Sequence, residues 1–104
     1  MRVTIKDMME TAKRMLFFVE KKEKETILYL FEEDLKFYLK GYGYYGFKEF
    51  REELEKRKQI AQENQNLKMI KVYSIMLYLL NNLEDYYMSR FFEKFFDIEK
   101  SNFE

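Results

Sequence analysis

A chain of 104 residues, 47% hydrophobic and 37% charged, carries enough apolar material for one packed core but lacks the length for two, which excludes both disorder and a multidomain organisation. Nineteen Lys and Arg balance nineteen Asp and Glu, so no bulk positive field exists to hold duplex nucleic acid by phosphate neutralisation. With no His and no Cys, the chain has no imidazole base, no Ser/His or Cys/His dyad, no disulfide framework and none of the usual zinc ligands.

In chain order, Thr4 and Asp7 stand three apart as an approximate capping box. Ile5, Met8, Met9, Ala12, Met15, Leu16 and Val19 follow at helical spacing, predicting a first helix over about 5 to 19. The charged stretch Glu20 to Glu25 interrupts that stripe without Gly or Pro and is read as a turn, with a solvated helical segment as the alternative. A second helix is expected over about 26 to 39, with Ile27, Leu28, Phe31, Leu35, Tyr38 and Leu39 inward and Gly41 ending it as a left-handed cap.

Lys40 to Phe47 holds all three glycines and four aromatics in one octet, and it is where helical periodicity stops. A third helix over about 47 to 62 has a thin stripe of Phe47, Phe50, Leu54 and Ala61 beside a dense charged face. The polar run Glu63 to Asn66 connects it to a fourth, starting near Leu67. There Val72, Ile75, Met76, Leu79, Leu80 and Leu83 cover most of the circumference, which predicts the central core helix. Beyond Asn81 and Asn82 the pattern becomes amphipathic again, so this helix either continues past 90 or kinks at the Asn pair. The expected fold is all-α: residues 1 to 104 as a single antiparallel bundle, four helices in number with a three-helix variant as the alternative.

The octet also resembles the RNP1 signature of RNA-recognition motifs: Lys40, Gly41, Tyr42, Gly43, Tyr44 and Phe47 match by type, while Tyr45 stands where an aliphatic is usual. The resemblance implies that Tyr42 and Tyr44 stack on bases and Lys40 contacts phosphate, on a strand of a four-stranded sheet. Helical periodicity on both sides argues against that sheet. Read on its own physics, a Gly/Tyr segment suits a binding loop, since Tyr offers large contact area with few rotors and Gly lets the backbone adapt. The expected partner-binding residues are accordingly Tyr42, Tyr44, Tyr45 and Phe47 with Lys40, Lys48 and Arg51. Lys36 also stands near these aromatics, and the same basic and aromatic region over 40 to 58 is what a nucleic-acid-binding role would use.

Acidic clusters at Glu32-Glu33-Asp34 and Glu84-Asp85 fall on consecutive helical positions that diverge, so they read as solvated charge, with no metal and no cofactor expected. The segment with Phe91, Phe92, Phe95 and Phe96 is read as core packing and a self-association seam for a homodimer. Its surroundings, residues 84 to 104, are acidic, the wrong sign for an anionic lipid surface. The longest apolar run, Val72 to Leu80, falls well short of the ~20 residues that cross a bilayer, and Lys6, Asp7 and Glu10 break any signal-peptide core. A cytoplasmic protein without membrane contact is expected. Its function reads as a non-catalytic protein-interaction module, an adaptor or a small inhibitor of a larger machine, in its sharpest form of the kind mobile elements encode. The alternative is nucleic-acid binding.

Overall fold

The computed structural model describes residues 4 to 89. Among them every regular element is helical, with no strand: α1 (Ile5–Met15), α2 (Lys21–Tyr42), a 3-10 turn (Gly43–Tyr45), α3 (Gly46–Glu63), α4 (Leu67–Glu84) and a π-helical turn (Asp85–Ser89). Three long helices and one short one thus carry the fold.

The capping box forms as read. The Asp7 N–H donates to Thr4 Oγ1 at 3.1 Å and the Thr4 N–H donates to Asp7 Oδ2 at 3.2 Å. The first break, however, falls earlier than the sequence suggests. Leu16, fully buried, is the last residue of α1's inward stripe; its N–H turns back to the Lys13 carbonyl, and the Val19 N–H bonds to the Leu16 carbonyl at 3.0 Å. Residues 21 to 25, expected as a turn, instead form the first turn and a half of α2. Lys and Glu are good helix formers with nothing there to break them, and the Lys24 N–H reaches the Glu20 carbonyl at 2.8 Å.

Gly41 does not end α2 either. The helix runs through it to Tyr42, and Gly43 takes φ 62° and ψ −138°, a region that essentially only glycine occupies. Three residues later, Gly46 starts α3 so close to α2 that a Cβ there would run into the Tyr38 carbonyl. The Gly/Tyr loop expected over 41 to 46 is therefore a tight helix-to-helix joint.

Residues 64 to 66 make the next reversal. Gln65 adopts φ 54°, the Asn66 N–H bonds back to the Ala61 carbonyl at 2.8 Å, and Asn66 Oδ1 caps α4 by accepting from the Met69 N–H at 3.2 Å. α4 runs through the Asn81-Asn82 pair. Asn82 Nδ2 donates to the Tyr78 carbonyl at 2.7 Å, Asn81 is engaged by α3, and regular helix continues to Glu84 before widening into the π turn.

Long-range pairs give the helix directions. Asp34 meets Arg57 while Tyr38 meets Phe50, so α2 and α3 run oppositely. Arg51 meets Glu84, which reverses α4 against α3, and α1 opposes α4 through Thr11 with Tyr87 and Phe18 with Tyr78. At their centre lie Ile5, Met8, Phe31, Phe50, Met76 and Leu79, all with no solvent exposure.

Candidate interaction site

The expected site residues do not stay together. Phe47 is fully buried in the core, so it cannot meet a partner; the inward stripe of α3 begins there, not a loop surface. Tyr44 packs against the same core, its ring 6.3 Å from that of Phe47. Tyr42 and Tyr45 are exposed, by 49% and 74%, and Lys40 and Lys48 lie at the surface. Arg51 is committed within the fold: its Nε donates to Asn81 Oδ1 at 2.7 Å and its Nη2 pairs with Glu84. Phe91, Phe92, Phe95 and Phe96 lie outside the described residues.

A better-defined aromatic surface lies one helical turn upstream of the glycines. Tyr38, half-buried on α2, stacks on buried Phe50 with ring centroids 5.1 Å apart and planes 8° from parallel. On its solvent side Tyr42 stacks at 6.1 Å and Phe37 meets it edge-on at 5.1 Å. Since Phe50 in turn packs on Phe31 at 5.6 Å, the exposed rings belong to a column rooted in the core. Phe37 is 66% exposed, and sequence reading passed over it. The available signal was its position: it falls between the inward residues Leu35 and Tyr38 and off their stripe, so an aromatic there has nothing of its own chain to bury it.

Beside this column α2 and α3 are tied by charge. Arg57 Nη1 donates to Asp34 Oδ2 at 2.9 Å and its Nε to Glu53 Oε2 at 2.8 Å. Burial by itself would favour the neutral guanidine, but the two carboxylate hydrogen bonds outweigh it and hold Arg57 above its ordinary range. Burial, followed by the nearby Glu53 carboxylate, pushes the Tyr38 phenol up, with Arg57 opposing.

The acidic runs are used singly. Asp34 serves Arg57, Glu32 pairs with Lys36 at 3.3 Å and Glu84 with Arg51; among the described residues no three acidic groups converge to hold a metal ion. Nor, among those residues, is any helix long and apolar enough to cross a membrane. The octet that resembles RNP1 lies on the end of α2, a 3-10 turn and the start of α3, not on a strand. Comparison with protein-family models, with curated proteins and with solved structures finds no match.

Proposed function

We propose that this chain is a non-catalytic protein-interaction module, a small adaptor or inhibitor acting in the cytoplasm on a larger protein assembly, built as an antiparallel four-helix bundle in which α1 is the short member. The observation that carries the reading is the Phe37–Tyr38–Tyr42 column: large aromatics held at the surface and pre-ordered by stacking on a buried ring. Binding hot spots favour this composition, because rigid aromatics desolvate large area at low entropic cost.

For the alternative, nucleic-acid binding over 40 to 58, the supply of phosphate contacts is thin. Of the four cations framing the aromatics, Lys36 and Arg51 are already paired, which leaves Lys40 and Lys48.

The test is the triple substitution Phe37→Ser, Tyr42→Ser and Tyr45→Ser. Wild-type protein used as bait in the native host's extract should capture a partner that the variant does not, at an unchanged melting temperature. A variant that melts lower yet binds normally per folded molecule would reduce the aromatics to a structural cap. Titration with single-stranded RNA and DNA at two salt concentrations separates the alternative, which requires binding that weakens steeply with salt.

A further inference from the structure

A second surface, at the other end of α2, has an exposed apolar centre and a basic surround. The turn from α1 to α2 holds Leu16 in the core but leaves Phe17 83% and Phe18 57% exposed, their rings 5.7 Å apart and edge to face. Phe18 also meets Tyr78 of α4 at 5.9 Å, and Tyr78 is itself 42% exposed. Lys71 lies two turns before Tyr78 on the same outer face of α4, and beside it a groove of about 210 Å³ lies between the starts of α2 and α4, with Lys22, Lys68 and Lys71 around an apolar floor of Ile27 and Val72.

Charge is segregated here although the whole chain is neutral. From Asn64 to Leu83 there is no acidic residue, only Lys68 and Lys71. Arg14, Lys21 and Lys22 flank the phenylalanines in the chain. Of the nearby carboxylates, Glu20 precedes α2 and Glu23, which also lines the groove, pairs with Lys71 at 3.2 Å, so Lys22 and Lys68 hold the groove's uncompensated positive charge.

We infer that this face docks peripherally on an anionic lipid surface, with Phe17, Phe18 and Tyr78 entering the interface and Lys22 and Lys68 contacting the headgroups. Aromatic rings are the side chains that settle at headgroup depth, and lysines beside them supply attraction to acidic lipids without any spanning segment. Unlike the acidic sequence around the later Phe cluster, this face carries a basic surround, and only the packing of α1 against α4 assembles it.

Flotation of the full chain with vesicles tests the inference, using phosphatidylcholine alone and phosphatidylcholine with about a third phosphatidylserine. Wild type should float with the anionic vesicles, not with the neutral ones, and be released by salt. Phe17→Ser with Phe18→Ser should abolish flotation at low salt. Lys22→Gln with Lys68→Gln should weaken it about fivefold per lysine removed and flatten its salt dependence. Circular dichroism checks that both variants keep the fold; the lysine pair, fully at the surface, provides the test if the Phe pair does not. No flotation of wild type at low salt, or flotation indifferent to both substitutions, overturns the inference. Salt-sensitive binding to soluble polyglutamate without flotation also overturns it, pointing instead to an acidic protein surface.

Discussion

The Tyr87 hydroxyl lies 2.8 Å from that of Thr11, and both lie 3.2 Å from the Asp7 carbonyl, so one phenol closes a small polar triangle between the π turn and α1. The ring is 8% exposed. Burial, first, pushes the phenol above its ordinary 10.0, with the Thr11 hydrogen bond opposing and Asp7 adding to the rise. The folded state therefore holds the phenolic proton more tightly than the unfolded chain does. Stability is fully present below pH 10.0 and falls as pH rises through the folded value. Tyr38 shifts in the same direction and adds to the slope. Tyr87→Phe should cost about 0.5–1.5 kcal/mol at neutral pH, yet lose less with further alkali than wild type. Urea unfolding across the alkaline range reads this directly, and parallel slopes for the two proteins would show that Tyr87 is not desolvated.

Among the elements, α2 depends most on a single backbone position. It reverses into α3 through Gly43, whose φ and ψ suit only glycine, and Gly46, which abuts the Tyr38 carbonyl. Gly43 has open space around the position of a Cβ, so Gly43→Ala isolates conformational strain from steric clash. It should destabilise by about 1–3 kcal/mol, whereas Gly41→Ala, in helical conformation and also in open space, should stabilise by roughly 0.5–1 kcal/mol. Denaturant midpoints for the two single variants should move in opposite directions; movement of both in one direction would place the turn elsewhere. The same joint fixes the site, since Tyr38 and Tyr42 lie on the last two turns before it.

At the level of the whole molecule, α1, α2, α3 and α4 contribute to one continuous core. Leu79, central in α4 with no exposure, touches the shared interior, and Leu79→Ala should cost about 2–5 kcal/mol, a large share of a small domain's stability. Because the core is common to all helices, the variant should still unfold in one transition seen equally by circular dichroism and tyrosine fluorescence. Two separated transitions would mean that α1 packs independently of the three long helices, and a loss under about 1 kcal/mol would show that this face of α4 collapses onto other side chains.

Periodicity in the sequence was enough to determine that the described elements are helical, that Thr4 caps α1, that Phe47, Phe50, Leu54 and Ala61 line the inner face of α3, and that Ile75, Met76, Leu79, Leu80 and Leu83 are the residues α4 buries. Each follows from spacing within one helix, which residues three and four apart fully express. Boundaries were less legible where two signals competed: the charged run 20 to 25 carries no breaker and became helix, and of two glycines two apart only the backbone path selects Gly43. The surfaces were beyond the sequence altogether. Phe37 and Tyr42 join through Tyr38 because α3 places Phe50 beneath it, Arg51 is withdrawn because α4 brings Glu84 to it, and Phe18 reaches Tyr78 because α1 packs antiparallel to α4. Periodicity assigns a side chain to a face, but which faces meet is decided by how the helices reverse.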